Sequence, residues 1–194
     1  MNYCNPINVN YHYQFNQHPI DGTFKINREA ADPSMIFFQG KYFIFASMNL
    51  SVWVSDDLVN WKTHRLPENL PLYDYAPDAR VCGEYVYFCA SKAKEVCHFY
   101  RTKDIINGPY EEIPGTFDFW DPNLYFDDDG RVYFYWGCSS NTPIWGVELD
   151  PETLIAKSEP IGLISGNPWL LGYERVWDDN SLFPASEEEI ERKY

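Results

Sequence analysis

The chain reads as an all-β protein of the β-propeller class, about three blades of which are present. Three observations carry that reading. A short motif, an acid beside a proline followed by an apolar strand, occurs three times along the 194 residues. Each occurrence is followed by a glycine turn, an aromatic strand and an Asp-nucleated turn, in units of the length of one propeller blade. Helical periodicity is scarce between Pro33 and Ser158, where short alternating runs and turn residues dominate.

The first unit opens as "ADPSMIFFQGKYFIFAS" from Ala31, the second as "APDARVCGEYVYFCAS" from Ala76, and the third as "WDPNLYFDDDGRVYFYWG" from Trp120. Each predicts an inner strand, a tight turn and a second, aromatic strand. The continuations "VWVSDDLVNWKTHRL", "HFYRTKDIINGPYEEI" and "IWGVELDPETLIAKS" predict a third strand, a turn and a fourth strand. Asp and Asn favour such turns because their side chains accept backbone N–H bonds locally. The predicted blades are 31–70, 76–114 and 120–158 within a single partial propeller domain spanning 1–194. Residues 159–194 are expected to form a loop and an acidic C-terminal segment.

The acids that open the units are Asp32, Asp78 and Asp121, spaced by 46 and 43 residues. The first strand of each propeller blade lines the central axis, so side chains at one repeat position meet at one end of it. These three carboxylates are therefore expected in one cavity. Asp78 stands after its proline instead of before it, and either faces the cavity or caps the turn. Asp127, Asp128 and Asp129 precede Gly130 and read as a solvated hairpin turn.

Composition narrows the function classes. The formal net charge of -14 argues against nucleic acid and anionic membrane surfaces as partners, since both are polyanions. Aromatics make up 18% of the chain, with 15 tyrosines, which suits strands and also flat stacking surfaces for sugars. Five cysteines, an odd number with no Cys-x-x-Cys spacing, argue against a disulfide framework and a zinc site. Cys89 and Cys138 read as small core residues in strands. His12, His18, His64 and His98 show no metal-ligand spacing, and His98 reads as structural. The start "MNYCNPINVNYHYQF" lacks the pattern of a leader, and no run of eighteen apolar residues occurs, so a cytoplasmic location is expected. The run Glu187-Glu188-Glu189-Ile190-Glu191 is expected to be a solvated helix.

The three motifs together resemble the first three blades of glycoside hydrolase family 43, over roughly Arg28 to Glu174. That resemblance implies a five-bladed propeller hydrolysing β-xylosides or α-L-arabinofuranosides with inversion, and no metal or organic cofactor. It implies that Asp32 is the general base and Asp121 the carboxylate that tunes and orients the general acid. The family's acid is a glutamate; Glu174 is the local candidate, but its surroundings differ from the family motif, and the acid is expected beyond Tyr194. Arg28, Tyr75, Asp78, Trp120 and Glu174 are the candidate substrate-binding residues. Trp120 and Tyr75 either stack on sugar or pack at the rim, and Arg28 and Arg80 either bind hydroxyls or pair with the acids. The expected partner is a xylo- or arabino-oligosaccharide, with self-association or a complementing chain at the open blade edges. A non-catalytic carbohydrate- or protein-binding propeller fragment is the alternative.

Overall fold

The computed structural model describes residues 9, 14–17, 22, 24–27, 30–47, 49, 51–67, 70, 75–91, 96–138 and 142–167. A two-stranded antiparallel sheet of β1 (Gln14–Gln17) and β2 (Phe24–Asn27) comes first. Three four-stranded sheets follow, each an antiparallel meander in chain order. The first holds β3 (Ser34–Phe38), β4 (Lys41–Phe45), β5 (Ser51–Ser55) and β6 (Lys62–Arg65). The second holds β7 (Tyr75–Cys82), β8 (Tyr85–Ser91), β9 (Cys97–Thr102) and β10 (Glu111–Phe117). The third holds β11 (Asn123–Phe126), β12 (Val132–Trp136), β13 (Ile144–Leu149) and β14 (Ile161–Ile164). These are three blades of a β-propeller.

Local chemistry explains the turns. Between β3 and β4, Gln39 and Gly40 both take positive φ, 47° and 80°, the conformation that matches a two-residue hairpin to the strand twist. Between the third and fourth strands, each blade uses an aspartate as predicted. The Oδ1 of Asp57 accepts from the backbone N–H groups of Val59 and Asn60 at 2.9 and 2.7 Å. Asp104 does the same for Ile106 and Asn107, both at 3.0 Å, and Asp150 for Glu152 and Thr153 at 3.1 and 2.9 Å. These bonds favour the ionised form and hold the Asp57, Asp104 and Asp150 carboxyls below the usual range. The Asp127–Gly130 turn is a solvated hairpin, closed by the N–H of Gly130 on the carbonyl of Asp127 at 3.0 Å.

Two apolar layers hold the blades together. Phe38, Phe43, Phe45 and Val52 of the first blade meet Val86, Phe88 and Ala90 of the second. Tyr87, Cys89 and Phe99 of the second meet Leu124, Phe134 and Leu149 of the third. Strand β8 thus alternates its side chains between the two layers, and six of its seven residues are buried. The outer blades are apolar toward the second blade and exposed on the other side: Met35 and Phe37 are 57% and 56% exposed, beside the buried Ile36 and Phe38. Rings interlock across both layers, with Phe45–Phe88 centroids at 5.4 Å and an edge-on Phe99–Phe134 pair at 5.0 Å.

Two boundaries differ from the sequence expectation. The second blade runs to Phe117, and the fourth strand of the third blade is Ile161–Ile164, not the segment ending at Ser158. Both outer strands carry irregularities that lengthen the unit. The register shifts between Ile113 and Thr116 in β10, and Ala156 bridges Leu149 ahead of β14. The expected acidic helix at 186–191 lies outside the described residues. Cys89 is buried in the core as expected, but Cys138 is exposed just past the end of β12. Among the described residues, Cys82, Cys89, Cys97 and Cys138 form no disulfide.

The bulge in β10 also serves the next blade. Gly115 donates its N–H to the carbonyl of Thr153 at 2.9 Å, and a Cβ at Gly115 would stand 2.1 Å from the carbonyl oxygen of Leu154. Because the obstacle is backbone, it cannot swing aside. Gly115→Ala is expected to destabilise the chain by about 1–3 kcal/mol through overpacking between the second and third blades. Equilibrium urea denaturation checks this; an unchanged midpoint would show that the two blades do not meet there.

Candidate active-site cleft

Each inner strand is entered through the same backbone device. Asp32, Ala76 and Asp121 take φ of 49°, 48° and 50°, and each is followed by a proline. Proline disfavours the right-handed helical alternative for the residue before it. The left-handed region is tolerated by aspartate more readily than by most residues with a Cβ. The peptide just before this residue is pinned to the end of the second strand. Ser47 donates its N–H to the carbonyl of Ala31 at 2.9 Å, and Gly137 donates to that of Trp120 at 2.8 Å. In the second blade the equivalent pair is Tyr75 and Ser91, joined in the sheet register.

This geometry corrects the sequence alignment of the three acids. Asp32 and Asp121 occupy the same place in their blades, and the matching residue of the second blade is Ala76. Asp78 stands two residues later, level with Ser34 and Asn123, and serves as an inter-blade tie. Its Oδ2 accepts the N–H of Leu124 in β11 at 2.7 Å, just as the Oγ of Ser34 accepts the N–H of Ala79 in β7 at 3.1 Å. Aligning the units on proline instead of on the acid reveals this register in the sequence.

Asp32, Asp78 and Asp121 nonetheless line one open cleft of ≈ 410 Å³, together with Arg80, Met35 and Asn123. Their surroundings differ. Asp78 is buried and held bidentate by Arg80, at 2.9 and 3.1 Å. Burial raises its pKa, and the Leu124 N–H and the Arg80 charge oppose that rise. Arg80 is therefore paired with an acid, the second of the two roles open to it. Asp32 is exposed, and its Oδ2 accepts the hydroxyl proton of Ser47 at 3.1 Å. Asp121 opens to the cleft, yet partial burial of its carboxyl and the charge of Asp32 push its pKa up, while a hydrogen bond from Cys138 opposes the rise. The two acids thus feel one another electrostatically, as the repeat-position argument requires.

Of the other expected site residues, Trp120 directly precedes Asp121 and is 39% exposed, but it is not among the residues that line the cleft. Tyr75 begins β7, with its side chain outside the described part, and Arg28 and Glu174 lie outside the described residues. Sequence reasoning missed Ser47, Ser34, Cys138 and Met35. The first three belong to strand ends whose partners are set by the meander, and a lone serine or cysteine carries no local signal of that kind. His98 sits in β9 with its Nδ1 3.4 Å from a Glu112 carboxylate oxygen, away from the cleft lining.

Coupling of the two acids has a measurable consequence. Because the pKa of Asp121 is raised, the folded chain binds more protons than the unfolded one between the ordinary carboxylate range and the raised value. Its contribution to stability therefore grows as pH falls through that window and is lost as pH rises above it. Asp32→Asn removes one of the two causes and is expected to move the Asp121 titration down and narrow the window. Carboxyl ¹³C NMR titration of both forms checks this; an unmoved Asp121 would show the two acids to be independent.

Comparison with known proteins sets this geometry in context. The family described as "Glycosyl hydrolases family 43" matches residues 25–175. No curated protein sequence matches the chain. Among solved structures, it is similar to an exo-1,5-alpha-L-arabinanase from a bovine ruminal metagenomic library, at 24% identity and a TM-score of 0.56, covering 70% of this chain and 55% of that one. A thermostable family-43 glycoside hydrolase gives 18% identity and a TM-score of 0.59, covering 87% of this chain and 58% of that one. A family 43 protein from a Bacteroides ovatus xyloglucan locus gives 23% and 0.59, covering 73% and 32%. At these identities the likeness is one of fold. The chain spans between 32% and 58% of the length of these three proteins. Match and architecture agree: this chain belongs to glycosyl hydrolase family 43 and carries three blades of its propeller.

Proposed function

We propose that the chain is part of an inverting glycosidase acting on β-xylosides or α-L-arabinofuranosides, with Asp32 as the general base and Asp121 as the carboxylate that tunes the general acid. The observation that carries this is the delivery of two carboxylates from non-adjacent blades into one cleft by one repeated backbone conformation, at a separation where the charge of one raises the pKa of the other. Arabinanase and arabinofuranosidase among the names of similar solved proteins support a pentoside substrate.

In the proposed reaction Asp32 takes a proton from water as the water oxygen bonds to the anomeric carbon. The glycosidic carbon–oxygen bond breaks, and the leaving oxygen takes a proton from the general acid. Asp121 keeps that acid protonated near neutral pH, because two nearby carboxyls resist joint ionisation. Asp78 is spent on Arg80 and the Leu124 N–H, so it is not the donor. We assign the donor to a glutamate outside the three described blades. Trp120 and Met35 offer apolar surface beside the acids for a sugar face, and Arg28, Tyr75 and Glu174 remain proposals for substrate binding.

A second reading, carbohydrate binding without turnover, is favoured by the same count: Asp32 and Asp121 are the cleft carboxylates left available among the described residues. Leaving-group chemistry separates the readings. A nitrophenolate departs without protonation, so a chain with a base and no donor still cleaves nitrophenyl xyloside or arabinofuranoside and leaves xylobiose and arabinobiose intact. Asp32→Ala is expected to reduce nitrophenol release by about 10²–10⁴-fold with folding retained. Equal release by the variant would end the role of Asp32, and tight calorimetric binding with no release from either substrate would establish the second reading.

The exposed flanks also bear on partners. Phe37 and Met35 on the first blade, and Ile161, Leu163 and Ile164 at 63%, 52% and 67% exposure on β14, form apolar surface on the two open sides of the arc. We expect the isolated chain to self-associate through these flanks in a concentration-dependent way. Sedimentation velocity checks it, and a monodisperse monomer at high concentration would refute it.

A further inference from the structure

We propose that Ser47 is the positioning residue of Asp32: its hydroxyl holds one carboxylate oxygen, Oδ2, and leaves Oδ1 to face the cleft and take the proton of the attacking water. The assignment of that proton rests on the reading of Asp32 as the base; the contact itself does not.

A serine hydroxyl has a single proton to donate and two lone pairs that accept. The backbone N–H of Ala76 donates to the Ser47 oxygen at 2.8 Å, so that side of the hydroxyl is occupied as an acceptor. Its own proton is then directed to Asp32 Oδ2 at 3.1 Å. Ser47 is 1% exposed, so water does not compete for the hydroxyl. The residue is also fixed from behind, because its N–H holds the carbonyl of Ala31, the peptide that leads into Asp32. Backbone and side chain of Asp32 are thus both tied to one buried residue at the end of β4. Asp32 itself is exposed, and among the described residues Ser47 is the one side chain that donates to it. That bond restricts rotation of its carboxylate about χ1 and χ2.

The chain of bonds also sets the orientation with respect to the rest of the cleft. Ala76 is the left-handed residue of the second blade, the structural counterpart of Asp32 and Asp121. An amide of the second blade therefore fixes the direction of a hydroxyl in the first, and that hydroxyl fixes a carboxylate at the cleft. A series of aligned bonds of this kind strengthens each member. The other blades differ at the same point: Ser91 stands there in a blade whose left-handed residue is alanine, and Gly137 in the third, where the neighbouring Cys138 supplies the donor to Asp121. In the first blade this position holds a serine whose hydroxyl donates to the left-handed aspartate of its own blade.

The test uses the chain as it stands, labelled with ¹³C at the aspartate carboxyls. A carboxylate bonded to a protected hydroxyl shows an isotope shift of its carbon resonance between H₂O and D₂O. That shift is expected at Asp32 in the parent chain, absent in Ser47→Ala and retained in Ser47→Thr. Ser47→Cys, of nearly the same shape with a weaker donor, is expected to show a reduced shift and serves if the alanine variant fails to fold. On nitrophenyl glycosides, Ser47→Ala is expected to lower kcat by about 10²-fold with KM little changed, with recovery in Ser47→Thr. An isotope shift that persists in Ser47→Ala overturns the contact. Parental kcat in Ser47→Ala beside an inactive Asp32→Ala overturns the positioning role. Full activity in Asp32→Ala overturns instead the assignment of Asp32 as base, while the isotope shift still decides whether Ser47 holds it.

Discussion

A left-handed residue ahead of a proline, with its preceding peptide pinned to the end of the neighbouring strand, is the constraint on which this structure turns. It appears in all three blades with nearly identical φ. The conformation costs about 1–2 kcal/mol for an L-residue with a Cβ, so it persists only where surrounding bonds over-determine it. Here the clamp between strand ends does that, through Ser47 to Ala31 and Gly137 to Trp120. Where the residue is aspartate, the device carries a carboxylate into the cleft. Where it is Ala76, the device keeps the backbone form and brings no charge.

From that point a polar series runs across the blades. Asp32 meets Ser47, Ser47 meets Ala76, and two residues on Asp78 meets Leu124, three residues beyond Asp121. The Ser34 bond to Ala79 repeats the Asp78 tie one blade earlier. Apolar layers supply most of the cohesion between blades, but an apolar layer tolerates small slides. The directional bonds at the strand mouths fix how far the first and third blades stand from one another. That distance matters for the cleft, because the interaction between Asp32 and Asp121 depends on separation.

The two acids also receive different donors. A buried hydroxyl holds Asp32, and a thiol opposes the rise in the pKa of Asp121. A thiol is a weak donor, so it lowers the pKa less than a hydroxyl in the same place would. Burial and the Asp32 charge therefore prevail at Asp121. This asymmetry is compatible with the roles proposed for the pair, Asp32 taking a proton from water and Asp121 acting on a neighbouring acid.

Much of the architecture was legible in the sequence. The recurrence of strand, glycine turn and aromatic strand predicts the meander, because period-two burial and turn chemistry are local properties. The Asp57, Asp104 and Asp150 turns are likewise written locally, since each side chain bonds backbone two or three residues on. Asp32 and Asp121 were legible as a pair because the same residue type recurs before the same proline. The register of Asp78 is readable once the units are aligned on proline, but its role was not, because its partner is the N–H of Leu124, 46 residues away. Ser47 and Cys138 were silent for the same reason: what they do depends on which strand end folds back beside which acid. The ends of the second and third blades escaped as well, since bulges in β10 and before β14 add residues without altering the apolar pattern. Sequence alone determined the repeating unit and the two acids it presents, through spacing and local bonding. Tertiary structure alone decided their partners and their mutual charge coupling, because these arise from contacts between blades that no local pattern encodes.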